Sequence, residues 1–181
     1  MVSMAELNAV FVSLGFGNVK TYINSGNVAF DVESQQKPAR GEGTGVSSPH
    51  GSKGSINSET LLVDDIEQAI EKKFGLNILV MVREQKAIEK ILKSNPFDGE
   101  FESHKEMHVL FMKDEMPLEK QVQLMEKQTG DERFAVIGRE IYCHLRLGVA
   151  DSLLGKGYIE KKLKVPTTGR NWRTVQKLAE L

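Results

Sequence analysis

Cysteine is nearly absent from this chain. A lone Cys143 in 181 residues leaves no intramolecular disulfide to form, which suits a reducing compartment and points to a cytoplasmic protein. An excess of charge of one sign is also missing. Lys and Arg total 24 against 25 Asp and Glu, so no global basic field exists to recruit nucleic acid or anionic lipid. No apolar run approaches the roughly 20 residues of a membrane span, and the opening MVSMAELNAVFVSLGFG carries Glu6 but no basic leader. Neither membrane insertion nor export is indicated. Catalytic signatures are lacking too: there is no Gly-x-Ser-x-Gly elbow, no GKS or GKT phosphate loop, and no GxGxxG after a strand. His104 and His108 cannot share a helix face, because MHVLFM reads as a strand. With no cysteine pair to help, no metal and no cofactor is expected.

What is present reads as alternating helices and strands. SMAELNAVFVSLG opens with a capping box, Ser3 and Glu6, and its apolar residues recur at helical spacing. VKTYINSG and NVAFDV read as a hairpin turning near Gly26. In residues 34–58, Ser, Gly and Pro fill 13 of 25 positions, a composition expected to form a disordered surface insertion. LLVDDIEQAIEKKFG is a helix whose charges all agree with its dipole, and NILVMVRE a strand expected to be covered on both faces. QKAIEKILKSNPF gives a helix stopped before Pro96. MHVLFMK is a strand, PLEKQVQLMEKQ a helix, and RFAVIG with EIYCHLR a second hairpin; helices from about Asp151 and Thr168 close the chain.

Laid out in order, residues 4–83 give helix, strand, strand, helix, strand. Residues 107–163 give strand, helix, strand, strand, helix. Each is a βαββαβ unit short of one terminal strand, the opening one in the first and the closing one in the second. The expected fold class is therefore α+β, with two packed ferredoxin-like halves. Residues 1–95 form the first half, carrying the insertion at 34–60, and residues 96–181 the second, with two closing helices. The opening strand of such a unit lies mid-sheet, so its lack exposes two strand edges. The sequence-level expectation is a marginal or association-prone chain whose Met1 is not the natural start.

Four stretches carry a family resemblance: TYINSGNVAF (Thr21–Phe30), NPF (Asn95–Phe97), GREIYCH (Gly138–His144) and IEKKLKVPTTGRNWRTVQKL (Ile159–Leu178). Together they resemble the family known as domain of unknown function 1697. The resemblance covers nearly the whole chain apart from the insertion, and it implies a two-part α+β, ferredoxin-like architecture with no established activity. It also implies an N-terminal strand and glycine-rich turn of the form LLRGINVGG, which this sequence does not contain. The family's glycine-rich stretch followed by RSKL corresponds here to GVADSLL. Ser152 is kept, with Asp151 and Leu153 where basic residues are usual.

Candidate sites follow. If Thr168 caps the last helix, Arg170 and Arg173 sit in its first turn, flanking Trp172, where a cation is disfavoured by about 0.3–1 kcal/mol. Two readings stand: a tertiary salt bridge, or a bound phosphate or carboxylate gripped by guanidinium forks and helix N–H groups. Asn24, Ser25 and Asn27 around Gly26 read as turn chemistry, or as a polar cleft wall. Three function classes remain open. One is a binding module for an anionic small molecule or nucleotide in a cleft between the halves. Its lining would be Arg170, Asn171, Arg173, Thr168, Asn24, Ser25, Asn27 and Ser152. Another is an enzyme using that cleft, although no nucleophile–base pair is visible. The third is an RNA-binding sheet, which requires exposed aromatics on TYINSGNVAF. Cys143 alternates with Ile141 and Leu145 toward a core, leaving His144 and Tyr142 on the other face.

Overall fold

The computed structural model describes residues 2–23, 26–32 and 53–181, with side chains from residue 59 onward in the last stretch. The chain divides into two compact units, Met1–Val82 and Arg83–Leu181.

In the first unit, helix α1 (Met4–Ser13) starts where the sequence sets its cap. Ser3 is extended; its hydroxyl accepts the Glu6 N–H at 3.2 Å and donates to the Glu6 carboxylate at 2.7 Å. Strands β1 (Gly17–Tyr22) and β2 (Asn27–Asp31) pair antiparallel. Gly26 stands just before β2 with φ of 74°, a conformation that side chains disfavour. Helix α2 (Lys53–Phe74) ends at Gly75, whose N–H returns to the Glu71 carbonyl at 2.8 Å. Leu7, Val10, Phe11, Phe16, Ile66 and Ile70 form the core, with Val28 and Phe30 of β2 and Val80 and Val82 packed against it.

The second unit runs α3 (Gln85–Lys93), β3 (Met107–Met112), α4 (Leu118–Met125), β4 (Glu132–Ile137), β5 (Glu140–Leu145), α5 (Tyr158–Lys161), β6 (Thr167–Asn171) and α6 (Trp172–Leu178). Its four strands lie in the order β4-β5-β3-β6, every neighbour antiparallel. Central β3 is the most apolar strand because both its faces are covered. One face joins Leu110 and Met112 to Phe134, Ile141, Cys143 and Leu145 beneath Leu124 and Ile159. Each such aliphatic, fully buried, contributes about 1.5–3 kcal/mol. The opposite face carries Val109 and Tyr142, whose hydroxyl donates to the Ile91 carbonyl of α3 at 3.0 Å. Arg83 closes one end of this unit. Its guanidinium, 5% exposed, meets Glu140 at 2.8 Å and donates to the Met112 carbonyl at 2.7 Å.

Five expectations need correction. The closing strand of the second unit is present: it is β6, which pairs with β3 from Thr167↔Met112 to Asn171↔His108. Its polar, glycine-containing sequence hid it; a Cβ on Gly169 would come to 3.0 Å from Leu110 Cδ2 across the ladder. Consequently Thr168 does not cap the last helix. Asn171 does, its Oδ1 accepting the Thr174 N–H at 2.9 Å, and Arg170 lies in the strand instead of the first helical turn. The stretch 77–84 forms no strand and leaves Ile78 and Leu79 exposed, since it has no ladder partner among the described residues. Finally, α2 reaches back to Lys53 and the helix expected from Asp151 is a run of turns ending in four-residue α5. The rest of the expected insertion, 34–52, lies outside the described residues.

Candidate functional site

The expected site residues fall in both units, and Thr168, Arg170, Asn171 and Arg173 lie together at the β6–α6 junction. Asn24 and Ser25 lie outside the described residues. Asn27 belongs to the first unit, where its Nδ2 donates to the Tyr22 carbonyl at 3.0 Å and so closes the hairpin. The other five belong to the second unit. Ser152 is buried within the 149–155 turn, its hydroxyl donating to the Val149 carbonyl at 2.7 Å and accepting the Gly155 N–H at 3.1 Å. Thr168 Oγ1 accepts from Arg170 Nη1 at 2.8 Å, and the same nitrogen donates to the Gly169 carbonyl at 2.8 Å. Burial lowers the Arg170 pKa from its ordinary value, yet a guanidinium stays charged. Arg173 is exposed in the first turn of α6. Trp172 is a core anchor, edge-on to Phe101 with centroids 5.9 Å apart.

A second group of side chains converges on the sheet face that carries Arg170. The register pairs Val109 with Arg170 on one side and Tyr142 on the other, while Met107 and Arg133 both stand opposite His144. Side chains two apart share a face, so Arg133 and His144 lie on the Tyr142–Arg170 face. The loop after α3 covers this end. Phe97 lies 5.6 Å from the His144 ring and Phe101 lies 6.4 Å from it. The Arg133 guanidinium stacks over Phe97 at 4.7 Å and pairs with Glu100 toward solvent.

Hydrogen bonding inside this group is incomplete. Arg133 Nη2 lies 3.2 Å from His144 Nδ1, and a guanidinium only donates, so Nδ1 accepts and the neutral ring carries its proton on Nε2. That Nε2 is buried without a partner among the described residues, on a residue 3% exposed. Asn95, 7% exposed, is in the same position. Its Oδ1 accepts the Phe97 N–H at 3.0 Å and fixes the NPF turn, while its Nδ2 has no partner among the described residues. An unmet buried donor costs about 1–3 kcal/mol, so two beside one phenylalanine call for an acceptor. Desolvation first, then the Arg133 charge, lowers the His144 pKa and keeps the ring neutral at physiological pH. Sequence reading passed over Asn95, Phe97, Phe101 and Arg133. Only the quoted NPF and GREIYCH stretches touched this site.

Other groups are structural. Burial drives the Cys143 thiol pKa strongly upward, leaving a protonated, unreactive side chain. Among the described residues no His, Cys, Asp and Glu group has metal-site spacing. No described helix is long and apolar enough to cross a membrane. Phe30, an aromatic an RNA-binding sheet would have to expose, stacks inside the first core, 4.5 Å from Phe16 and 5.1 Å from Phe11.

The profile of the family described as protein of unknown function (DUF1697) matches residues 1–43 and 53–142. The chain belongs to this family. The match includes the NPF turn and the first half of β5, and stops two residues before His144. A search of curated proteins finds no match. Among solved structures, the chain is similar to a conserved bacterial protein, SP0830 from Streptococcus pneumoniae. The TM-score is 0.62 at 21% identity, covering 99% of this chain and 88% of that one. At that identity the likeness speaks for the fold, a mixed α+β architecture.

Proposed function

We propose that the second unit is a binding module for a small anionic molecule, a carboxylate or phosphate, accepted by His144 Nε2–H and Asn95 Nδ2–H. The carrying observation is that pair of buried donors without partners flanking Phe97. The ligand class is the one the arginine-rich β6–α6 junction suggests; the donors lie further along the same face. The Arg133–Glu100 pair forms the solvent side of the site, and Arg170 adds positive potential two residues along. The β3-α4-β4-β5-α5-β6 order supports a ferredoxin-like reading of this unit, and the helix–strand–strand–helix order of the first supports an incomplete version of it. The single cysteine, which leaves no intramolecular disulfide to form, supports a cytoplasmic setting.

Thermal shift and imidazole nitrogen NMR with inorganic phosphate and acetate, against sodium chloride of equal ionic strength, test the proposal. One probe is expected to raise Tm and move the His144 Nε2–H resonance. Asn95→Asp keeps the turn acceptor but removes the donor, and His144→Phe keeps the ring volume; both should abolish the shift. No response in the wild type, or an equal Tm response in both variants, overturns the reading and leaves water as the acceptor.

A further inference from the structure

The two unmet donors of the second unit, His144 Nε2 and Asn95 Nδ2, are both buried away from solvent. A ligand acceptor therefore reaches them only when their cover moves. Asn95 itself belongs to that cover, the loop of residues 95–101 after α3, which sets Phe97 and Phe101 beside the His144 ring.

The backbone of this loop bonds to the loop itself among the described residues. The Asp98 N–H donates to the Asn95 carbonyl at 3.3 Å, the Glu100 N–H to the Phe97 carbonyl at 3.1 Å, and the Phe97 N–H to Asn95 Oδ1. Side chains join it to the sheet and α6. Phe97 and Phe101 pack near His144, Phe101 meets Trp172 edge-on, and Arg133 of β4 stacks over Phe97 and pairs with Glu100. Lifting the loop breaks no ladder bond, and local opening of this kind needs far less free energy than unfolding.

Arg133 is the centre of the attachment. One nitrogen, Nη2, carries two hydrogens and serves both Glu100 Oε2 on the loop and His144 Nδ1 on β5. The Glu100 side chain is 46% exposed and that of Arg133 35%, so the pair stands at the boundary with solvent. An anion arriving from solvent meets this guanidinium outside the buried donors, and finds a carboxylate already on it.

We propose that residues 95–101 are a gate over the anion site and that Glu100 is its latch, an internal carboxylate that an entering anion displaces from Arg133. The gate rests on the reading of His144 and Asn95 as ligand donors, and it regulates that same site. With the latch closed, Phe97 stays buried and the donors are covered. With Glu100 released, the loop lifts and the donors meet the ligand. Because the anion binds the open form, its apparent affinity scales with the fraction of molecules that are open.

Trp172, the sole tryptophan of the chain, is a built-in reporter. It is 7% exposed and loses the Phe101 ring, 5.9 Å away, when the loop lifts. Acrylamide quenching of its fluorescence in the ligand-free full chain is followed by titration with acetate and inorganic phosphate, read at the His144 Nε2–H resonance. Glu100→Gln keeps the side-chain size and removes the charge. It should raise the quenching constant at least about twofold and tighten binding of the responding probe by a similar factor. Asp98→Asn removes a charge from an exposed position of the same loop and should change neither. Equal quenching and equal affinity in wild type and Glu100→Gln overturn the gate and leave the anion site standing. The same gain in Asp98→Asn also overturns it, since net charge and not the latch then sets access. Greater quenching in Glu100→Gln, with no probe bound by either protein, upholds the latched loop and overturns the anion reading instead.

Discussion

His144 and His108 are the residues whose surroundings most constrain their chemistry. Desolvation comes first for both; the Arg133 charge then adds to it at His144, and His104 adds to it at His108. Both folded pKa values lie below the ordinary 6.5, so the unfolded chain binds more protons in the window just under that value. Their contribution to stability is thus complete above pH 6.5 and is lost as pH falls through the folded values. Urea unfolding at pH 7.0, 6.0 and 5.0 should show declining stability, with a shallower decline in a His108→Gln, His144→Phe double variant. Equal slopes would mean that carboxylates alone set the acid limit. The alternation in EIYCHLR places His144 opposite Cys143, but not beneath Phe97, because that contact joins a loop to a strand 47 positions away.

At the scale of elements, the turn from Val149 to Gly157 depends on one glycine. A Cβ on Gly155 would lie 2.1 Å from the Val149 carbonyl oxygen and 2.8 Å from that of Ala150. Both are backbone atoms, which cannot yield by changing rotamer. Gly155→Ala should cost about 1–3 kcal/mol in urea unfolding. Gly130→Ala, where nothing lies within 4 Å, should be close to neutral. A similar loss at both positions would show that this contact does not govern the turn. A different neighbour bears on β6: a Cβ on Gly169 would meet the tip of the Leu110 side chain at 3.0 Å across the ladder, and propensity contains no such neighbour. Conversely, NILVMVRE has strand composition and no strand, because hydrogen-bonded pairing belongs to two segments and one sequence supplies only half.

At the scale of the whole molecule, the sheets of the two units differ in strand number among the described residues, two against four. A two-stranded sheet depends on its helical cover, whereas β3 is bonded on both edges and buried on both faces. Native-state hydrogen exchange should therefore find the β3 amides at least about tenfold slower than those of β1 and β2. Equal protection would refute a difference in local stability between the units.

Sequence alone determined the local features. The Ser3 cap, the Gly26 turn, the Gly75 stop, the apolar central strand and the inward Cys143 all follow from backbone sterics and side-chain periodicity over a few residues. Tertiary structure decided which segments become strands, which side chain caps α6, and which polar atoms are left without partners. Those outcomes depend on what a distant part of the chain places opposite each group, and hydrogen bonds and close packing act only across that distance in space.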